Sequence, residues 1–187
     1  MKADLIFKAI KQIYPQIEGG FSYWENQINP EDGLVWENKE YPKPTWKEIE
    51  ALIPQVELQQ AKEEKLAQLN QYYASDECWT FRLKSTTLKA SLTKTADFFA
   101  KVLPAIDSSF PVFFETDDKK IISTNLSNEK AKKINAKIQL EISIHIKKLR
   151  IDTEAKILNC KTIEEIALID VKKALEKVPR EIEIDNI

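Results

Sequence analysis

The amino-acid sequence predicts an α+β fold that is mostly α. It comprises a small helix–hairpin–helix module at the N-terminus, a connecting helix, and a helical C-terminal domain with a β-hairpin. Three observations predict it. Apolar residues recur at three- and four-residue spacing over most of the chain. Short apolar or aromatic runs flank turn signals in both halves, as at Asp32-Gly33 and Asp117-Asp118-Lys119-Lys120. Two T-x-x-E boxes, at Thr45 and Thr162, mark helix starts. Composition also divides the chain. All three glycines and three of the four tryptophans lie in the first 46 residues, and the net charge is −3 over residues 1–56, −3 over 57–78 and +4 over 79–187. The expected units are an aromatic-rich N-terminal module (1–56), a connecting helix (57–78) and a helical C-terminal domain with a long central helix (79–187).

The first helix is expected to start at Asp4 as cap and to carry Leu5, Ile6, Ala9, Ile10 and Ile13 on one face. Pro15 and Gly19-Gly20 end it. FSYWENQI and GLVWENKEY then read as two strands joined through Asn29-Pro30-Glu31-Asp32-Gly33. Pro42 and Pro44 impose an extended approach, after which Thr45 and Glu48 open a helix with Trp46, Ile49 and Leu52 inward. Pro54 is expected to kink that helix or to start the next. The run from Val56 to Tyr73 is rich in helix formers, and Lys62 and Lys65 interrupt its apolar stripe, so it reads as a mostly solvated connector that could pair with another helix.

In the C-terminal part, Trp79, Phe81 and Leu83 alternate as one face of a strand. Ser85 is expected to cap a helix carrying Leu88, Leu92, Ala96, Phe99 and Leu103. PVFFET and IISTN read as a hairpin. A long helix from Ser127 to about Leu158 carries two apolar stripes. Ala131, Ile134, Ile138, Ile142, His145 and Leu149 form one; Leu140, Ile144, Ile151, Ala155 and Leu158 form the other. Two apolar faces predict a central helix packed from both sides. Ile163, Ile166, Ile169 and Leu175 are expected on one further antiparallel helix, and EIEIDNI alternates like a short strand or is simply frayed.

The composition narrows function by class. A net charge of −2 offers no broad field for nucleic acid or an anionic membrane, and no apolar run approaches the ~20 residues of a membrane span. The start MKADLIFKAIKQIYPQ reads as an amphipathic helix, because lysines interrupt its apolar positions. Cys78 and Cys160 read as reduced thiols of a cytoplasmic protein. No catalytic, cofactor or metal site is expected. The one histidine, His145, stands on an apolar stripe with no second ligand or nucleophile motif, and reads as a packed or rim histidine. No glycine-rich phosphate loop is present. Glu63-Glu64, Asp117-Asp118 and Glu164-Glu165 have structural explanations on a helix surface, in a turn and in a capped first turn. The lysines of the long helix are diluted by Glu129, Glu141, Asp152 and Glu154, so they read as a solvated face.

Eight of the 17 aromatic residues fall in the first 46 positions. A module this small needs large side chains to close its core, yet three tryptophans exceed what it easily hides. Trp46, in phase with Ile49, is expected inside. Tyr23 and Trp24 are adjacent in a strand and must point to opposite faces. Trp24 or Trp36 is therefore the expected partner contact.

The segment IYPQIEGGFSYWENQINPEDGLVWENKEYPKPTWKEIEAL resembles the N-terminal part of XkdW-like prophage proteins: a helix ending in Tyr-Pro, a strand pair, a Trp, and a Pro-x-Pro-Thr entry to an acidic helix. From about Gln60 to Val171, CWTFRLKSTTL, PVFFETDDK and ILNCKTIEEIALIDV resemble an uncharacterised phage domain family encoded beside tail-fibre genes. The resemblance implies a tail-associated protein that works by protein–protein binding. A tail-fibre assembly chaperone or accessory factor in the host cytoplasm is the first reading. A structural component of the virion fibre or baseplate is the alternative, and a polysaccharide-acting enzyme a further one without a supporting motif. The implied partner is a tail-fibre or other tail protein, with no nucleic acid, membrane or cofactor, and a homo-oligomer is compatible.

Overall fold

The structure, a computed structural model, describes residues 2–25, 28–85, 90–95, 112–115, 121–124, 127–178 and 180–183. It is mostly helical with small antiparallel hairpins, the α+β class read from the sequence. The chain forms two compact units, Met1–Glu64 with Cys160–Ile166 and Lys65–Asn159 with Ala167–Ile187. The first division falls within a single helix, α2 (Trp46–Ala74).

The N-terminal unit is a helix–hairpin–helix. Helix α1 (Ala3–Ile13) buries Leu5, Ile6, Ala9 and Ile10, a spacing that keeps all four on one face. They pack with Ile17, Leu34, Ile49, Ile53 and Val56. Asp4 is not the cap. It lies in the first turn, where its carboxylate pairs with Lys8 at 3.0 Å, and the Ala3 N–H donates to Glu25 Oε1 at 2.7 Å. The helix start is thus satisfied from a residue far along the chain, which local pattern cannot show.

Strands β1 (Phe21–Tyr23) and β2 (Leu34–Trp36) pair antiparallel with Phe21 opposite Trp36 and Tyr23 opposite Leu34. The turn between them contains a 3₁₀ segment, Pro30–Gly33. The expected capping box opens α2: Glu48 N–H donates to Thr45 Oγ1 at 3.3 Å, and Thr45 N–H donates back to Glu48 Oε2 at 2.8 Å. Pro54 does not break α2. Glu50, whose carbonyl loses its helical partner to the proline, is exposed, so water can serve it.

The bonds from the Thr45 side chain and backbone hold the Glu48 carboxyl below its ordinary range. A depressed carboxyl contributes stability that is present above its unfolded pKa and lost as pH falls through the folded one. Acidification should therefore loosen the start of α2, and Glu48→Gln should flatten that dependence. Amide exchange at Glu48 and Ile49 between pH 3 and 7, roughly the carboxyl range, reads it directly.

In the C-terminal unit the last turns of α2 keep most residues exposed or half-buried and also make tertiary contacts. Leu69 is buried, Lys65 Nζ donates to the Ile169 carbonyl at 3.2 Å, and Arg150 donates to Asn70 Oδ1 at 2.9 Å while lying over the Tyr73 ring. Trp79 closes the short helix α3 (Asp76–Trp79) and does not belong to the strand. Its indole N–H donates to the Tyr73 carbonyl at 2.7 Å. Strand β3 (Thr80–Ser85) pairs antiparallel with β4 (Ala90–Thr95) and parallel with a C-terminal strand (Glu181–Glu183), the short strand expected from EIEIDNI. Ser85 therefore ends a strand, and Leu92 lies in one. The helix expected after Ser85 is corrected there; its Leu88, Ala96, Phe99 and Leu103 lie outside the described residues. The hairpin β5 (Val112–Glu115) and β6 (Ile121–Thr124) is as expected.

The long helix is α4 (Asn128–Ile138), a π-helical turn (Gln139–Ser143) and α5 (Ile144–Asn159) in succession. Ile134, Ile138, Ile142 and Ile146 form its buried face, continued by Thr153 and Ile157. A π turn takes up an extra residue, so four-residue steps stay on one side where an α-helix would drift. The extra residue puts Ile146 inside and leaves His145 exposed, which corrects its place on the inner stripe expected from α periodicity. The second stripe is corrected too: Leu140, Ile144, Ile151 and Leu158 are all more than half exposed. Beyond Asn159 the expected single helix is two short ones, Ile163–Ala167 and Val171–Leu175. The second is capped by Asp170, whose carboxylate accepts from Lys173 N–H at 3.0 Å.

Candidate partner-binding surface

The candidate surface is the outer face of the N-terminal hairpin and the groove beside its turn. Period-two alternation sends Phe21, Tyr23, Leu34 and Trp36 inward. The Phe21 ring stacks on Trp36 at 5.6 Å and meets Phe7 edge-on at 5.4 Å, while Tyr23 stacks on Trp46 at 6.3 Å. Burial, and next the Glu25 carboxylate, push the Tyr23 phenol above its ordinary range. Trp36 also donates its indole N–H to the Tyr41 carbonyl at 3.0 Å. It is half-buried and committed to the fold.

Trp24 is different. It follows β1 on the opposite side from Tyr23, and 65% of its surface is exposed. Val35, opposite Ser22 on the outer face, is 40% exposed, and Ile28 is fully so. Of the two tryptophans singled out by sequence, Trp24 presents its ring to solvent and Trp36 does not. Trp46, expected inside, is only half-buried; Ile49, one turn on, is the residue that is fully enclosed.

The backbone holds Trp24 in place. Its N–H donates to the Gly33 carbonyl at 2.9 Å. A Cβ on Gly33 would stand 2.4 Å from the Trp24 carbonyl oxygen and 2.9 Å from the Tyr23 ring. Glycine is required there by close approach. Gly33→Ala should destabilise the unit by about 1–3 kcal/mol and move Trp24, which indole fluorescence and urea unfolding would record together.

Beside the same turn lies an open groove of about 510 Å³, lined among others by Glu31, Asp32, Lys43, Pro44 and Trp46. The exposed Lys43 ammonium donates to the Leu34 carbonyl at 3.0 Å and keeps its charge beside the exposed Glu31 and Asp32, and Asp32 accepts from Asn29 Nδ2 at 3.1 Å. An apolar ring beside charges of both signs suits a partner segment that carries both apolar and charged side chains. Sequence reasoning missed this groove and Val35. The alternation that placed Tyr23 inside also placed Ser22 and Val35 outside, and could have found the latter.

Among the features considered for chemistry, His145 is exposed, and Glu63 and Glu64 accept from Gln59 and Gln60 along α2. The Asp117-Asp118 turn lies outside the described residues. Among the described residues no three His, Cys, Asp or Glu side chains converge, and no helix is long and apolar enough to cross a membrane. Comparison with family models, with curated proteins and with solved structures finds no match to this chain.

Proposed function

We propose that this chain is a phage or prophage tail-associated protein that assists tail-fibre assembly as a small chaperone or accessory factor. Its partner is a tail-fibre or other tail protein, bound through the Trp24 face of the N-terminal unit in the host cytoplasm. The single observation that carries the binding mode is the exposed Trp24 ring on a unit whose other aromatics are engaged in packing. Exposed tryptophan is the residue type that most often concentrates binding energy. The assignment to a tail protein rests on the resemblance of residues 13–52 and of about 60–171 to the two phage families.

The test is co-expression with the neighbouring tail-fibre gene and measurement of binding to its product. Trp24→Ala should weaken binding by about 2 kcal/mol, roughly 30-fold in Kd, with unfolding unchanged. Trp36→Ala should instead lower stability, because it removes an engaged ring. Wild-type affinity in a folded Trp24→Ala protein would sink the reading. The structural-component alternative is separated by composition of purified particles. A chaperone is absent from them, and a fibre or baseplate part stays in the virion tail.

A further inference from the structure

Helix α5 carries apolar side chains on two opposite faces. Ile146, Thr153 and Ile157 are buried on one. At 100° per residue, Ile144, Ile151, Ala155 and Leu158 line the other, a seam about 21 Å long. Ile144 is 53% exposed, Ile151 61% and Leu158 51%, and Leu140, just before, is 62% exposed. Four large aliphatic side chains in line on an exposed helix face are the pattern of a helix–helix contact.

The charges beside the seam say what covers it. On the helical wheel Lys147 and Glu154 edge one flank, and Lys148 and Asp152 edge the other. On each flank the cation precedes Ile151 and the acid follows it. When two copies of this helix pair antiparallel about a twofold axis near Ile151, each flank meets the same flank of the other copy, running in reverse. Lys147 then stands by the second copy's Glu154, and Lys148 by its Asp152. Parallel pairing would instead set lysine against lysine and acid against acid along the whole seam. Glu154 also has Arg150 of its own helix at 3.7 Å, a contact compatible with a second cation.

We propose that the Ile144–Leu158 face of α5 is a homodimer interface, closed by antiparallel pairing with a second copy of this chain. The seam supplies the apolar contact, and the reversed order of charge on each flank sets the direction. This surface is distinct from the Trp24 face, and the inference stands whatever partner the latter takes.

The full chain should run as a dimer in sedimentation and light scattering. Ile151→Glu should halve the apparent mass with an unchanged circular dichroism spectrum. Lys147→Glu/Lys148→Glu and Asp152→Lys/Glu154→Lys should each weaken self-association at least ~10-fold, and mixing the two should restore a mixed dimer. That restoration cannot arise from a folding defect. Direction is read by cross-linking. Ile151→Cys, on the axis, should join two copies on mild oxidation, and Ile144→Cys should join only to Leu158→Cys. A monomeric wild-type chain, a dimer indifferent to Ile151→Glu and to both charge reversals, or self-linking of Ile144→Cys would each overturn the proposal.

Discussion

Phe81→Ala should lower the stability of the C-terminal unit by about 3–5 kcal/mol, the largest single loss expected among the described residues. Phe81 sits in β3 with 1% of its surface exposed, the largest of the fully enclosed side chains among the described residues. Its strand is the middle one of three, paired to β4 on one side and to the C-terminal strand on the other. The ring's removal therefore opens a cavity at a position where two neighbours fix the backbone and collapse is resisted. Phe81→Leu, which refills much of the volume, should recover most of the loss. Urea unfolding followed by far-UV circular dichroism gives both values, and a Phe81→Ala loss under 1 kcal/mol, about that of a typical substitution, would contradict this core assignment.

Ile49→Ala should cost the N-terminal unit about 2–5 kcal/mol. Ile49 is wholly enclosed and belongs to the cluster that joins α1, the hairpin and α2. Trp46, one turn earlier, is bulkier but only half-buried, so its truncation should cost less than Ile49→Ala despite the greater volume removed. The order of the two variants is the decisive measurement. A larger loss from Trp46→Ala would mean that its stack on Tyr23 matters more than enclosure. Tryptophan fluorescence can follow the Ile49 variant, since all three indoles of the unit remain in it.

Much of the N-terminal unit was legible in sequence because its signals are short-range. The Thr45–Glu48 box spans four residues and forms as written. The α1 face follows from the spacing of Leu5, Ile6, Ala9 and Ile10, and the hairpin's inner face from simple alternation. The same alternation required Tyr23 and Trp24 to separate, although it could not say whether Trp24 or Trp36 would meet solvent. In the C-terminal unit the local signals conflict. Leu92 fits a helical stripe after Ser85, but β3 offers the segment a complete antiparallel ladder, and pairing prevails. A four-residue isoleucine step reads as α-helix drifting toward His145, until a π turn holds Ile146 on the inner side.

Sequence by itself determined the fold class, the helix starts that are boxed by their own neighbours, the inner face of the first hairpin, and the choice of two tryptophans as candidate contacts. These depend on backbone geometry and on residues within a turn of one another. Tertiary structure alone decided the rest. Glu25 satisfies the start of α1, Gly33 admits the backbone at Trp24, and one of two apolar stripes on α5 remains uncovered. The reason is common to all three. A hydrogen-bond donor, a close approach and a buried face are properties of pairs of segments, and an apolar residue is equally apolar whether its own chain covers it or another does.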